Sequence, residues 1–371
     1  MLARPRDFME CALSLAGLAV GYTSPNPAVG AVLVRDGLIV GFGHTQPPGS
    51  VHAEIMALRQ AGPRAKGATM YVTLEPCCHH GRTPPCTQAI IDAGVSEVHL
   101  ALIDPNPLVS GKGLKTLEEA GIKTFVGQCE ESAREINEGY IKFITTGMPF
   151  VIAKFAMSLD GKIATQNGDS KWISGDESRK FVHYLRHIVD AIMVGANTVV
   201  ADDPQLSARG CSGKGGKTKL QPLRVIVDGK GRTPVSARLF KEPGKTLVAV
   251  AKNINAKKTE SFSKAGAEVV ELPAKKDVID LEELLKILGK REVTSVLVEG
   301  GSGLFGSLFD HGLVDKVLAF ISPIIIGGNG AKSAVGGTGV SQVADALRLN
   351  RVKTIEFGDD VLISGYVGDE K

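Results

Sequence analysis

One histidine, one glutamate and two cysteines near the start of the chain have the spacing of a hydrolytic zinc site. His52-Ala53-Glu54 is followed by Pro76-Cys77 and then by Cys86. One imidazole and two thiolates make three protein ligands, and a catalytic zinc leaves its fourth position to water. The metal lowers the pKa of that water, so hydroxide forms near neutral pH. We therefore predict that His52, Cys77 and Cys86 bind zinc and that Glu54, off the metal, transfers protons.

Three side chains that follow Cys77 are rival ligands. Adjacent residues rarely both bind one tetrahedral ion, so we expect Cys78 to pack inside the protein. His79 is a candidate for substrate contact, with ordinary loop packing as the alternative. His80 is expected to be a solvated loop residue.

Local patterns place the zinc residues on a strand, a turn and two helices. The sequence predicts a helix from His52, a strand at residues 70–74, and a helix at residues 88–93 that ends at Gly94. Both cysteines then lie at or near a helix N-terminus, where the helix dipole favours the thiolate.

Length and charge narrow the class of protein. A chain of 371 residues predicts two domains, each with its own core. The formal charge of +3 is too small to indicate a nucleic-acid or membrane partner. Six cysteines in this length do not resemble a disulfide framework, and two are needed as thiolates, so a reducing cytoplasm is expected.

The apolar stretch at residues 11–20 superficially resembles part of a signal peptide. Asp7 and Glu10 interrupt the region, and the apolar spacing predicts an amphipathic helix instead. No apolar run reaches the roughly 18 residues of a membrane span.

The remaining chain alternates helices and strands, which predicts an α/β protein. The first half gives a helix at 6–21 and strands at 29–35 and 38–43, joined by the hairpin turn Asp36-Gly37. A break at 144–149 separates a domain at 1–146 from one at 147–371. Strands of the second half are expected from Phe150 and at 191–194, 224–227, 246–251, 268–272, 295–298 and 316–321.

Gly301, Gly303 and Gly306 form a G-x-G-x-x-G turn that opens a helix running to about His311. Backbone N–H groups at such a turn can bind a pyrophosphate, although close packing between helix and strand is the alternative. A Rossmann domain also needs an acidic residue at the end of the next strand, and residues 321–326 contain none. We therefore expect a dinucleotide in a fold other than the Rossmann fold.

Longer motifs carry a family resemblance over nearly the whole chain. Seven segments resemble the bifunctional riboflavin-biosynthesis deaminase-reductases. Three lie in the first half: 23–30 (TSPNPAVG), 52–54 (HAE) and 75–86 (EPCCHHGRTPPC). Four lie in the second half: 157–162 (MSLDGK), 170–174 (SKWIS), 197–206 (NTVVADDPQL) and 298–301 (VEGG). The pattern also resembles zinc-dependent base deaminases. Eight residues separate Cys77 from Cys86, and this spacer distinguishes the family from cytidine and transfer-RNA adenosine deaminases.

The resemblance implies two folds and two reactions. An N-terminal, cytidine-deaminase-like three-layer domain would use Zn²⁺ to remove the 2-amino group of 2,5-diamino-6-ribosylamino-4(3H)-pyrimidinone 5′-phosphate. A dihydrofolate-reductase-like α/β domain would then use NADPH to reduce the ribosyl chain, giving 5-amino-6-ribitylamino-uracil 5′-phosphate. Hydride transfer mainly requires that the reacting carbons be held together and water be excluded.

Residue roles follow from the matching positions. In the deaminase, Asn26 would bind substrate, and His44 and His79 are lesser candidates that loop packing could also explain. The NADPH positions are Ala156, Trp172, Thr198, Asp202, Gly229, Gly301, Ser302, Gly303, Leu304, Phe305, Gly306 and Ser307. The reductase substrate positions are Ser170, Arg186, Leu206, Arg209 and Glu299, to which we add Lys154 as a residue that could reach a pyrimidine carbonyl. Arg186 and Arg209 suit a phosphate, since guanidinium binds it bidentately.

Three alternatives remain. A deaminase for another nucleobase would lack the long spacer and the second motif set. A nucleic-acid-binding module would need a basic, aromatic-rich face, and the chain has one Trp and little net charge. A non-catalytic zinc scaffold would have no use for Glu54. We expect small-molecule phosphoribosyl-pyrimidine partners, no nucleic-acid or membrane partner, and a homo-oligomer.

Overall fold

The computed structural model describes residues 5–79, 84–209, 221–275 and 278–368. The chain forms two compact units, and the boundary between them along the chain lies between Met148 and Pro149. The predicted solvated histidine, His80, lies outside the described residues. None of the helices in the described part of the chain has the length and apolar content to span a bilayer.

The first unit contains one mixed sheet among the residues described. Its elements are α1 (Pro5–Ala19), β1 (Gly30–Arg35), β2 (Leu38–His44), α2 (Ala53–Ala61), β3 (Thr69–Val72), α3 (Cys86–Asp92), β4 (Glu97–Leu100), α4 (Lys112–Glu119), β5 (Lys123–Val126), α5 (Glu130–Ile136) and α6 (Glu138–Thr146). The strand order is β2-β1-β3-β4-β5. Strand β1 is antiparallel to β2 and β3, and β3, β4 and β5 are parallel to one another.

Two glycines let helices α1 and α2 pack closely on the sheet of this unit. A methyl group at Gly43 would lie 2.6 Å from the Ala53 carbonyl of α2, whereas one at Gly30 would overlap the Ala12 carbonyl of α1. Gly43 pairs with Ala31, the residue after Gly30, so the two glycines face opposite sides of the sheet. Helices α1 and α2 therefore cover opposite faces, and the apolar core lies on both sides of the strands.

The second unit is built on a larger sheet. Its elements are β6 (Phe150–Ser158), α7 (Asp176–Ile188), β7 (Ala191–Gly195), α8 (Ala196–Asp202), β8 (Leu223–Val227), β9 (Thr246–Ala251), α9 (Ala256–Lys264), β10 (Glu268–Leu272), β11 (Ala274–Lys275), β12 (Val278–Ile279), α10 (Leu281–Lys290), β13 (Ser295–Gly300), α11 (Ser302–Asp310), β14 (Lys316–Ser322), β15 (Leu349–Phe357) and β16 (Asp360–Val367). The order of the main sheet is β10-β9-β8-β7-β13-β6-β14-β16-β15.

Most of this sheet is parallel, and only its C-terminal edge reverses. Strand β16 is antiparallel to both β14 and β15. The strands expected in the second half are all present, with small differences at their ends. The hairpin of β15 and β16 and the short pair of β11 and β12 were not predicted from the sequence.

Candidate active sites

The three predicted zinc ligands lie together in the first unit. The Nδ1 atom of His52 is 3.7 Å from the Cys77 sulphur and 3.3 Å from the Cys86 sulphur, and the ligand atoms all lie within 4.8 Å of one another. Tetrahedral zinc with ordinary bond lengths would separate a nitrogen and a sulphur ligand by about 3.6 Å. The donor set and its spacing therefore fit a zinc ion.

The sheet register explains why ligands from distant parts of the chain meet. Strand β1 begins at Gly30, which pairs with His44 at the end of β2, and Ala31 pairs with Val72 at the end of β3. Cys77 follows β3 and so lies near these strand ends. Cys86 begins α3, and its backbone nitrogen is 3.4 Å from the Cys77 sulphur. His52 occupies the N-cap position of α2, which packs on β2 at Gly43.

Charge and hydrogen bonding alter the pKa values within this cluster. The contact with Cys86, followed by that with His52, lowers the pKa of Cys77, and contact with Cys77 together with burial raises the pKa of Cys86. One negative charge on two adjacent sulphurs disfavours a second. A divalent cation between them would favour both thiolates.

Glu54 lies in the first turn of α2 and is 4% exposed. Burial, and then the neighbouring Cys77, raises the pKa of its carboxyl group. Hydrogen bonding to Cys77 raises the pKa of His52 despite its partial burial. The cluster therefore combines metal-binding atoms with a buried carboxyl group suited to proton transfer.

Asn26 and His79, two of the other predicted deaminase residues, lie on loops, and the third, His44, is the last residue of β2. Asn26 is half-buried in the loop before β1, and the Nδ1 atom of His44 is 3.2 Å from the Thr45 carbonyl. Within the described residues, Nδ1 of His79 is buried without a hydrogen-bond partner. Cys78 is partly buried, and burial raises the pKa of its thiol.

Glu75 has a structural role that the sequence analysis missed. Its carboxylate is 4% exposed and accepts hydrogen bonds from the backbone N–H groups of Asp104, Gly111 and Leu114, at 3.2, 2.9 and 3.0 Å. A methyl group at Gly113 would overlap the Pro76 carbonyl, so this turn packs directly on the chain before Cys77. Its position two residues before a predicted ligand was the available signal.

Most of the predicted reductase residues line a cavity of about 920 Å³ in the second unit. It lies beside strands β6, β7 and β13, and ligands of parallel sheets commonly bind at the carboxyl ends of strands. Lysine and arginine side chains outnumber carboxylates in its lining, which suits phosphorylated ligands. The predicted residues that line it are Lys154, Ala156, Ser170, Trp172, Arg186, Thr198, Asp202, Leu206, Arg209, Glu299, Gly301 and Phe305.

The remaining predicted cofactor residues are not among the described lining residues. Gly229 lies in the turn after β8, whereas Ser302, Gly303, Leu304, Gly306 and Ser307 belong to α11. Two of the lining residues connect the expected cofactor and substrate sets, because Ser170 Oγ donates to Asp202 at 3.0 Å. His183 also lines the cavity and was missed, although it lies on α7 one turn before Arg186.

A buried ion pair lies in the wall of this cavity. The Nε and Nη2 atoms of Arg186 donate to the two Glu299 oxygens at 2.6 and 2.7 Å, and the third nitrogen donates to the Ser207 carbonyl at 3.3 Å. Burial opposes the charge on Glu299, but Arg186 outweighs it and lowers the pKa of the carboxyl group. Burial also lowers the pKa of Lys154. The guanidinium edge expected to bind a phosphate therefore binds Glu299.

The glycines of the G-x-G-x-x-G turn serve different purposes. A methyl group at Gly301 would lie 2.9 Å from Thr198 Oγ1, beside the cavity. Gly306 faces elsewhere, because a methyl group there would overlap the backbone of Gly336 and Gly337. The N–H of Gly336 also donates to the Ser302 carbonyl at 3.0 Å. The last glycine thus permits a loop to pack on α11.

We expect Gly306→Ala to lower the stability of the second unit by about 1–3 kcal/mol, because the added methyl group forces two backbones apart. Gly303→Ala is the matched control, since no atom lies within 4 Å of its added methyl group. Thermal unfolding of the two variants without cofactor measures the difference. Equal melting temperatures would contradict the packing role of Gly306.

Each half of the chain is similar to a known protein family. Residues 149–363 match the profile of the RibD C-terminal domain, and residues 3–102 match the cytidine and deoxycytidylate deaminase zinc-binding region. The riboflavin biosynthesis protein RibD of Aquifex aeolicus is 43% identical over 96% of this chain and 97% of its own length. The chain belongs to the RibD family.

Solved RibD structures show the same fold. The structure of Acinetobacter baumannii RibD, form 1, has a TM-score of 0.87 at 37% identity and covers 98% of this chain and 99% of its own. A deaminase/reductase of Thermotoga maritima has a TM-score of 0.84 at 36% identity, covering 98% of each chain. The expected fold class is therefore confirmed: a cytidine-deaminase-like unit precedes a RibD reductase unit of dihydrofolate-reductase type.

Membership of this family confirms the function expected from the motifs. RibD proteins are bifunctional enzymes of riboflavin biosynthesis that combine a zinc-binding deaminase domain with an NADPH-using reductase domain. Zinc and NADPH are accordingly the cofactors of this chain.

Proposed function

We propose that the first unit hydrolyses the 2-amino group of 2,5-diamino-6-ribosylamino-4(3H)-pyrimidinone 5′-phosphate. The observation that carries this proposal is the cluster of His52, Cys77 and Cys86 beside buried Glu54. The Thermotoga maritima relative is named as a diaminohydroxyphosphoribosylaminopyrimidine deaminase, which supports the substrate. Zinc, when bound by the three ligands, lowers the pKa of water at the open position.

Glu54 acts as the proton carrier of this reaction. Its buried carboxylate takes one proton from the attacking water and gives it to the ring nitrogen. It then carries the second proton, from the hydroxyl group added to the ring, to the amino group, which leaves as ammonia. Asn26 binds the pyrimidine from the loop before β1, and His44 and His79 are further substrate contacts. The half-buried position of Asn26 and the unpartnered Nδ1 of His79 among the described residues support these roles.

The second unit reduces the ribosyl chain of the deaminated product to the ribityl chain. NADPH, when bound, supplies the hydride. We assign its binding to Ala156, Trp172, Thr198, Asp202, Gly229 and residues 301–307. The substrate is assigned to Ser170, Arg186, Leu206, Arg209, Glu299 and Lys154, all of which line the cavity.

The charged side chains that line the cavity are assigned different roles in binding the substrate. Arg186 is paired with Glu299, so it holds that carboxylate in place and leaves Arg209 as the phosphate contact. Lys154 lines the cavity, where a hydrogen bond from its amino group to a pyrimidine carbonyl competes less with water than it would at an exposed surface.

We place the deaminase domain at residues 1–146 and the reductase domain at 147–371. The two matched regions, 3–102 and 149–363, each fall within one of them. The free thiols of Cys77 and Cys86 support a reducing cytoplasmic setting. Homo-oligomerisation stays a prediction, which sedimentation of the purified protein would test.

Arg209→Ala tests the assignment of the phosphate contact. Removing a guanidinium that binds phosphate should raise the KM for the deaminated substrate about tenfold or more, with little change in the KM for NADPH. Steady-state NADPH oxidation at varied concentrations of each ligand separates the two constants. An unchanged substrate KM would remove Arg209 from the site.

A further inference from the structure

A buried asparagine between α5 and α6 holds the loop that carries Asn26. Asn137 is 3% exposed. Its Oδ1 accepts from the Ala28 N–H at 2.8 Å, and its Nδ2 donates to the Ala28 carbonyl at 3.0 Å. One side-chain amide thus gives Ala28 the two hydrogen bonds that a neighbouring strand would otherwise provide.

Buried threonines extend this arrangement along the chain. The N–H of Val29 donates to Thr45 Oγ1 at 3.1 Å, and the N–H of Gly30 donates to Thr73 Oγ1 at 3.1 Å. Residues 28, 29 and 30 are therefore each fixed by a side chain from a different part of the unit. Because an unmade hydrogen bond is costly inside a protein, such a network selects one backbone conformation.

The loop is held close to Asn26 on both sides. The N–H of Asn26 donates to the Thr23 carbonyl at 2.8 Å, and Ala28 lies two residues after Asn26. Asn137 is 109 residues away from Ala28 in sequence and lies outside residues 3–102, which match the zinc-binding region. The helices that follow this region therefore contact the substrate loop directly.

We propose that Asn137 is a positioning residue of the deaminase, which fixes Ala28 and so orients Asn26 for the substrate. The proposal rests on the substrate role of Asn26 proposed above. Asn137 itself contacts backbone atoms, so its effect on the reaction passes through the loop. Helices α5 and α6 thereby belong functionally to the deaminase site.

Asn137→Ala tests the proposal in the full-length protein. We expect the KM for deamination to rise about two- to tenfold, the effect of a lost hydrogen bond, with a smaller change in kcat. Zinc content and NADPH oxidation on the deaminated substrate should stay unchanged. If this variant does not fold, Asn137→Ser serves instead, because its short neutral hydroxyl group cannot make both bonds to Ala28 and buries no charge.

Ile122→Ala is the matched control for general loss of stability. Ile122 is buried in the same core but precedes β5, at the edge of the sheet opposite Cys77. It should lower the melting temperature at an unchanged KM. If Ile122→Ala raised the KM as much as Asn137→Ala at an equal loss of stability, the positioning role would be overturned.

A double-mutant cycle separates this proposal from the one on which it rests. If Asn137 acts through Asn26, adding Asn137→Ala to Asn26→Ala should raise the KM little further. Independent, multiplicative effects, or no effect of Asn137→Ala alone, would overturn the positioning role while leaving Asn26 in the site. No effect of Asn26→Ala would instead overturn the proposed role of Asn26 and, with it, the positioning proposal.

Discussion

Glu54→Gln is expected to reduce ammonia release by about 10²- to 10⁴-fold, the usual contribution of a positioned general base. Glutamine has nearly the same shape and stays buried, but it cannot accept a proton from water. Because Glu54 is not a metal ligand in this account, the variant should keep its zinc. Ammonia assays, metal analysis and NADPH oxidation with deaminated substrate measure the three quantities.

Glu75→Gln is the matched control for Glu54→Gln. Both carboxylates are 4% exposed, and each lies two residues from a zinc ligand. Glu75 binds backbone N–H groups, so its amide variant should lower stability by about 1–3 kcal/mol without the same loss of chemistry. If Glu54→Gln lowered both activities together with the fold unchanged, the model of two independent sites would be wrong.

Glu299→Gln should have the largest effect on the second unit. Arg186 and Glu299 form a bidentate pair whose side chains are 14% and 8% exposed, and Lys154 also interacts with this carboxylate. Neutralising Glu299 leaves buried positive charge without its partner, which typically costs about 3–5 kcal/mol. We expect a lower melting temperature of the second unit and a large loss of NADPH oxidation, with ammonia release retained.

Glu268→Gln provides a control of the same chemistry at the surface. Glu268 forms a bidentate pair with Arg291, but its side chain is 57% exposed. An exposed pair contributes about 1 kcal/mol or less, so this variant should be nearly neutral. Equal effects of the two substitutions on stability and NADPH oxidation would contradict the role given to burial of Glu299.

The zinc cluster was predictable because its chemistry restricts both residue type and spacing. His52, Cys77 and Cys86 stand out in a chain with few histidines and cysteines, and the flanking patterns placed them on a helix start and a turn. The parallel strands of the second unit were also found, since buried strands are continuously apolar. Strand β15 was missed because it is an edge strand whose side chains are largely exposed.

Contacts between residues that are distant in the chain could not be predicted from the sequence. Nothing near Arg186 in the sequence indicates that its guanidinium binds Glu299, 113 residues later. Gly306 was grouped with a cofactor motif, and its close packing on the loop at Gly336 could not be foreseen from that motif. Asn137 binds backbone groups, and such partners leave no pattern in a single sequence. The family resemblance supplied residue roles, and those roles stay predictions until the variants are measured.

One chain carries a zinc-dependent deaminase and a separate NADPH-dependent reductase. The most direct test of this pairing is to assay ammonia release and NADPH oxidation in parallel, with and without a zinc chelator, on the diaminopyrimidine phosphate and on its deaminated product. The chelator should abolish ammonia release while NADPH oxidation continues on the deaminated product. Ammonia release that survives zinc removal, or NADPH oxidation of the deaminated product that stops with it, would contradict the claim.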